Sequence, residues 1–97
     1  MSIAQEVELA ISAQNTYTDP VLVNERFNFS IVSSSFVGTV TLQRRFNTSD
    51  SWRDVNTFVT AFEGWDVQPG GAQYRAGVKT GEYTSGTATV RISDARA

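Results

Sequence analysis

The 97-residue chain contains no cysteine and no histidine, and these two absences limit its chemistry. Without cysteine there is no disulfide framework and no thiolate metal site, so stability must come from packing, from a hydrogen-bonded sheet or from a partner. Histidine is the commonest general base and the commonest metal ligand, and cysteine is the best nucleophile. We therefore expect no enzymatic activity, no cofactor and no metal site.

Concentrated basic charge and long apolar runs are also missing. Eight basic residues are scattered among ten acidic ones, for a formal net charge of -2, whereas nonspecific nucleic-acid binding needs a concentrated positive field. No apolar run approaches the roughly 20 residues that span a bilayer. The start of the sequence, MSIAQEVELAIS, lacks the positive region of a secretory signal. The sequence thus predicts folding in a cytoplasm, with neither a nucleic-acid nor a membrane partner.

The pattern that is present is an alternation of apolar and polar residues, which is typical of half-buried β-strands. It is clearest in residues 38–58, GTVTLQRRFNTSDSWRDVNTF, where Val40, Leu42, Arg44 and Phe46 share one parity. The polar run NTSDS favours a turn, and strand-prone residues resume after it. This segment predicts a β-hairpin whose second strand extends to about residue 61. Arg44 lies near the end of the first strand, where its stem can cover apolar surface while its head stays in water.

The rest of the chain follows the same alternation. Further strands are predicted at residues 5–13, 21–33, 72–80 and 86–93. The intervening turns or loops are predicted at residues 14–20, 33–35 and 62–71. Short strands separated by turns, without a helical period, predict one all-β domain, a small Ig-like antiparallel β-sandwich of about six to seven strands. A short N-terminal arm of about residues 1–5 precedes it. Phe29 is predicted to be a main core residue.

Large aromatic residues are the first candidates for contacts. Trp52, beside the hairpin turn, is predicted to pack, whereas Trp65 lies in a predicted loop, where large aromatics often anchor interfaces. The alternative, a loop that folds back onto the domain's own core, fits the sequence equally well. Tyr74 is either a tyrosine-corner residue that bonds a neighbouring loop or a plain core tyrosine.

Asp50 and Asp54 are the carboxylate pair that could do acid–base work. Both lie beside the hairpin turn and near Arg44, Arg45 and Arg53. Surface ion pairs and turn hydrogen bonds therefore explain them better than catalysis does.

Three blocks cover most of the chain: YTDPVLVNERFNFSI (residues 17–31), GTVTLQRRFNTSDSWRDVNTF (residues 38–58) and YRAGVKTGEYTSGTATVRIS (residues 74–93). Together they resemble a group of small bacteriophage virion proteins of about one β-sandwich domain. The turn NTSDS departs from the glycine-rich turn of that group, so contacts made by the turn do not carry over. The resemblance implies a non-enzymatic structural role in a phage particle, foremost as a capsid decoration, cement or head accessory protein that binds the shell through repeated surface contacts.

The resemblance also implies partners within the virion: the major capsid protein, or neighbouring copies of the chain in an oligomeric or lattice-bound state. An exposed edge strand can accept a partner's arm by β-augmentation. The candidate partner contacts lie in the N-terminal arm and in residues 62–71, and they are Ser2, Ile3, Gln5, Glu6, Phe62, Trp65 and Val67.

Two other functional classes remain open. A tail- or fibre-associated β-sandwich, or a fibronectin-like adhesion module, would have another protein as its target. A carbohydrate-binding module would instead stack a sugar on Trp65, Trp52 or Tyr83.

Overall fold

The structure, a computed structural model, describes residues 6–68 and 70–94. These residues form nine β-strands and no helix, which confirms the prediction of an all-β fold. In chain order the strands are β1 (Glu6–Ile11), β2 (Thr16–Tyr17), β3 (Val21–Val23), β4 (Arg26–Gly38), β5 (Val40–Arg45), β6 (Arg53–Phe58), β7 (Phe62–Val67), β8 (Ala72–Val78) and β9 (Tyr83–Asp94).

The strands form two antiparallel sheets that pack as a sandwich. The first sheet has the order β1-β9-β4-β7. The second has the order β2-β8-β5-β6, and β3 also pairs with β8. The long strands β4 and β9 are central in the first sheet, while β1 and β7 are its two edges. The predicted β-sandwich is thereby confirmed.

The core lies between the sheets and follows the predicted alternation along β4. Phe27, Phe29 and Ile31 point inward and are 2%, 3% and 3% exposed. The Phe27 ring packs against the Tyr74 ring of the opposite sheet, with 4.5 Å between centroids, so aromatic contacts join the two layers. Phe29 is a core residue, as predicted. The other buried apolar residues are Ile11, Val21, Val23, Val40, Leu42, Ala72, Ala76, Val78, Ala88, Val90 and Ile92.

The described residues contain more strands than the six to seven expected, because segments predicted as turns or loops take part in the sheets. Residues 14–20 contribute β2, and residues 62–71 contribute β7. The predicted strand at residues 21–33 divides into β3 and β4. Residues 33–35, predicted as a loop, continue β4, because a register shift between Ser34 and Val37 keeps it paired with β9. Ser35 there has φ 55, a backbone conformation typical of a bulge.

The hairpin at residues 38–58 is confirmed, since β5 pairs with β6 from Val40 opposite Phe58 to Arg44 opposite Arg53. The second strand ends at Phe58, earlier than expected. The expectation that β5 is half-buried is wrong. On its outer face, Thr41 and Gln43 are 0% and 6% exposed. The hydroxyl of Thr41 donates to Oε1 of Glu82 at 3.4 Å, and the partners of Gln43 are described below.

Candidate interaction surface

β7 is an edge strand, and a hydrogen bond at its end shows which of its backbone groups face β4 and which face outward. Among the described strands it pairs only with β4. The N–H of Gln68, just after β7, donates to the carbonyl of Glu25, just before β4, at 2.5 Å. Backbone groups of successive residues point to opposite sides of a strand. The N–H and C=O groups of Glu63, Trp65 and Val67 therefore point away from β4, toward the outer edge of the sheet.

Among the described residues, all three present unpaired backbone groups at that edge. The N–H of Val67 donates to Oδ1 of Asp66 at 2.8 Å, so this donor is satisfied within the strand. No described strand pairs with the five remaining groups, which are the N–H and C=O of Glu63 and of Trp65 and the C=O of Val67. Such a row of donors and acceptors is what an added strand uses for pairing.

Exposed apolar side chains surround this edge. Trp65 is 65% exposed, Val67 53% and Phe62 40%. Trp65 and Val67 lie on the outer face of the sheet. Phe62 points inward and packs against Phe58, with 4.6 Å between ring centroids, and against Phe29 at 6.1 Å. The predicted contact residues of this segment thus lie on one strand, although Phe62 contributes partly to the core.

The loop predicted for residues 62–71 is therefore a strand over its first part, with a packing reason for its glycine. A Cβ at Gly64 would lie 2.8 Å from the ring of Phe62. Gly64 accommodates this ring beneath the strand and does not mark a turn. Of the two alternatives for Trp65, the structure shows the exposed one.

Of the N-terminal candidates, the structure describes only Glu6. Ser2, Ile3 and Gln5, with the rest of the predicted arm, lie outside the described residues. Glu6 begins β1 at the opposite edge of the first sheet, where its carboxylate pairs with the guanidinium of Arg91.

The outer face of the first sheet carries a shallow depression next to β7, with a volume of about 440 Å³. We call it the Trp65 depression. Trp65, Asn28 and Ser93 are cross-strand neighbours in one row, and Glu63, Ser30 and Arg91 are cross-strand neighbours in the next. The side chains that line it are Asn28, Ser30, Glu63, Trp65, Arg91 and Ser93.

The outer face of the second sheet differs, because its aromatic and charged groups contact one another. The guanidinium carbon of Arg75 lies 4.0 Å from the ring centroid of Tyr17 and 4.6 Å from that of Trp52. The guanidinium carbon of Arg45 lies 4.4 Å from the same Trp52 ring. Cation–π contacts of this kind hold the side chains flat over the sheet. Trp52 thus packs beside the hairpin turn, as predicted.

A chain of hydrogen bonds accompanies this stack and explains the burial of Gln43. Nε of Arg75 donates to Oε1 of Gln43 at 2.8 Å, and Nε2 of Gln43 donates to Oδ1 of Asp54 at 2.9 Å. Nζ of Lys79 donates to Oδ2 of Asp54 at 2.8 Å. The hydrogen bond from Gln43, followed by that from Lys79, lowers the pKa of Asp54. Asp54 is thus in a surface ion pair, and the N–H of Asp50 closes the hairpin turn.

Tyr74 and Arg44 converge on one side chain at the end of the sandwich. The hydroxyl of Tyr74 donates to Oε1 of Gln68 at 2.6 Å, and Nη1 of Arg44 donates to the same oxygen at 3.1 Å. Burial raises the pKa of Tyr74. Tyr74 is thus a core tyrosine bonded to a side chain. The head of Arg44, predicted to stay in water, is half-buried and also lies 5.1 Å from the ring centroid of Phe46. No sequence signal marked the buried Gln68 as their partner.

Comparison with known proteins does not identify the surface further. No protein family, no curated protein and no solved structure matches the chain. Within residues 6–68 and 70–94 there is no group of three or more acidic, histidine or cysteine side chains that could hold a metal ion. The same ranges contain no helix long and apolar enough to cross a membrane.

Proposed function

We propose that the chain is a non-enzymatic structural component of a bacteriophage particle, a capsid decoration, cement or head accessory protein that binds the shell through repeated surface contacts. The phage assignment rests on the resemblance of residues 17–31, 38–58 and 74–93. The observation that best supports a role in binding other proteins is the unpaired edge of β7.

In the part of the chain that the structure describes, this edge has few of the features by which sheet proteins prevent pairing with other chains. Such features are short strands, prolines, charged side chains and above all lysine, bulges, or a covering segment. β7 has six residues, FEGWDV, with neither proline nor lysine, and it pairs with β4 without a register shift. Glu63 and Asp66 supply its only charges. The strand is therefore suited to receive a further strand.

The partner that fits this edge is an extended segment of the major capsid protein or of a neighbouring copy. Main-chain hydrogen bonds to Glu63 and Trp65 would give affinity, and the side chains on either face would give specificity. Because the charges of β7 are both negative, a partner segment with lysine or arginine opposite them is favoured.

A short edge contact suffices on a particle because the shell repeats it. Each copy forms only a few hydrogen bonds, each contributing about 1 kcal/mol net. Copies that also touch one another gain affinity by multivalency on a symmetric lattice. The alternative, a tail- or fibre-associated module, would use the same edge at far fewer places.

A proline substitution tests the edge selectively. The N–H of Glu63 points away from β4, so Glu63→Pro removes an edge donor and leaves the β4–β7 hydrogen bonds intact. In co-sedimentation with particles lacking the protein, we expect Glu63→Pro to weaken binding by at least about fivefold, the effect of losing one hydrogen bond of about 1 kcal/mol. The matched control, Glu63→Ala, loses the same carboxylate but keeps the donor, so it should bind more tightly than Glu63→Pro.

The result depends on both variants being folded, which urea denaturation measures directly. Equal unfolding midpoints, with weaker binding of Glu63→Pro than of Glu63→Ala, would support pairing at this edge. Binding of Glu63→Pro with parental affinity would overturn it.

A further inference from the structure

We propose that the Trp65 depression binds a neutral carbohydrate. This inference goes beyond a structural role in the particle, because it assigns a ligand site to the outer face of the first sheet. It rests on the shape of the depression, on the unpaired polar groups within it and on the balance of its charges.

Short polar side chains of the central strands line the depression beside the larger side chain of Trp65. Asn28, Ser30 and Ser93 come from the central strands β4 and β9, while Trp65 rises from the edge strand β7. The volume of about 440 Å³ lies within the range of small-molecule sites, about 300 to 1,000 Å³. Its open form suits a ring that lies flat on the sheet against an aromatic side chain.

The polar groups of the depression are available to a ligand. Among the described residues, the side chains of Asn28, Ser30, Ser93 and Glu63 have no hydrogen-bond partner. They offer amide, hydroxyl and carboxylate groups that can both donate to and accept from sugar hydroxyls. The second sheet is different, since Gln43 and Arg75 on its outer face bond each other.

Trp65 is the aromatic residue best placed for stacking. Its side chain is 65% exposed, and the nearest cation, the guanidinium carbon of Arg26, lies 5.9 Å from the ring centroid. Trp52 is already in contact with two guanidinium groups. Tyr83 is half-buried, and its hydroxyl donates to the carbonyl of Gly86 at 3.0 Å. Of the three aromatic residues considered for sugar stacking, Trp65 alone combines an exposed ring with unpaired polar neighbours.

The charges around the depression favour a neutral ligand. Glu63 and Arg91 line it with opposite signs, and Arg91 is already paired with Glu6. Glu8 lies opposite Arg91 in the register of β1 and β9, and it offsets the positive charge of Arg26 near the Trp65 ring. There is no excess of positive charge for a phosphate or sulfate group. A sugar, with an apolar C–H face and uncharged hydroxyls, matches both the tryptophan ring and the polar groups beside it.

The test is a titration of the isolated, ¹⁵N-labelled protein, followed by NMR of its backbone amides. The probes are maltotriose, cellotriose, mannotriose and the trimer of N-acetylglucosamine, with glucose 6-phosphate as a charged probe. We expect at least one neutral probe to shift the amides of Asn28, Trp65 and Ser93, with a Kd of the order of 1 mM. If none shifts them, or if the charged probe binds more tightly, the proposal is overturned.

Three variants separate ring stacking from general effects. Trp65→Ala should weaken binding of the neutral sugar that shifts the amides by about tenfold or more. Trp65→Phe should retain most of this affinity. Val32→Ala is the matched control, because Val32 is exposed on the same face of the sheet but does not line the depression. An affinity unchanged in Trp65→Ala would contradict the site. The amide spectra of all three variants show directly whether each is folded.

The proposed sugar site and the proposed contact at the β7 edge can be refuted independently. Asn28→Ala removes a polar group of the depression and leaves the edge backbone unchanged. We expect it to weaken sugar binding by severalfold while particle binding stays parental. Glu63→Pro should have the dominant effect on particle binding. Parental sugar affinity in Asn28→Ala would remove that side chain from the site and contradict the proposed geometry.

Discussion

Replacing Phe29 by alanine tests how the two sheets are held together. Phe29 is 3% exposed and lies on β4, the central strand that pairs with both β7 and β9. Its ring contacts Phe58 of the second sheet at 5.3 Å and Phe62 at 6.1 Å between centroids. The substitution therefore removes a buried ring, leaves a cavity and breaks an aromatic cluster that spans the layers.

The expected loss follows from the size of the removed group. Phe-to-Ala substitutions in cores cost about 3 to 5 kcal/mol, and aromatic contacts contribute about 0.5 to 1.5 kcal/mol beyond buried area. We expect a loss of about 4 kcal/mol from a total stability of about 5 to 10 kcal/mol. With a urea dependence of about 1.5 kcal/mol per M, the unfolding midpoint falls by about 2 to 3 M.

Urea denaturation followed by circular dichroism measures this shift. Phe46→Ala is the matched control, because Phe46 is 61% exposed and follows the end of β5. Its midpoint should stay within about 0.5 M of the parent. A midpoint for Phe29→Ala equal to that of Phe46→Ala would refute the assignment of Phe29 to the core.

Three further changes test other parts of the structure by similar measurements. Gly77→Ala should destabilise the protein by about 1 to 3 kcal/mol in urea, because a Cβ there would overlap Tyr17 of β2. Tyr74→Phe should cost about 1 kcal/mol, since it removes the donor to Gln68, and absorbance titration should lose the tyrosine with the raised pKa. The pKa of Asp54 is lowered from its ordinary value of 3.8, so its stabilising contribution is present above that pH and is lost as the pH falls through the lower value. Below about pH 4, the free energy of unfolding of the parent, measured in urea, should therefore fall by up to about 0.5 kcal/mol relative to that of Asp54→Asn. The effect is small because the carboxylate is exposed.

The fold was largely predictable because the core residues alternate along the chain. Phe27, Phe29 and Ile31 share one parity, and all three are buried. The burial of Gln43 on the outer face of the sheet was not predictable. It depends on Arg75, which lies 32 positions later in the chain and is brought next to Gln43 by the pairing of β5 with β8. Alternation predicts which residues of a strand share a face. It does not predict which side chains of neighbouring strands cover that face.

The candidate site was predictable only in part. An isolated tryptophan in a polar, glycine-rich segment indicated Trp65, and the structure places it at an exposed edge. Gly64 was read as part of a loop, whereas its role is to make room for the ring of Phe62. Asn28 and Ser93 carried no signal, because they become neighbours only through the pairing of β4 with β9.

Quantitative mass spectrometry of purified phage particles tests the proposed function most directly. It should count the copies of the chain per particle. As a shell component, the protein should be present on the order of hundreds of copies, since a symmetric lattice repeats each contact. A few copies would instead place it in the tail or fibres. Complete absence of the chain from the particles would contradict the account.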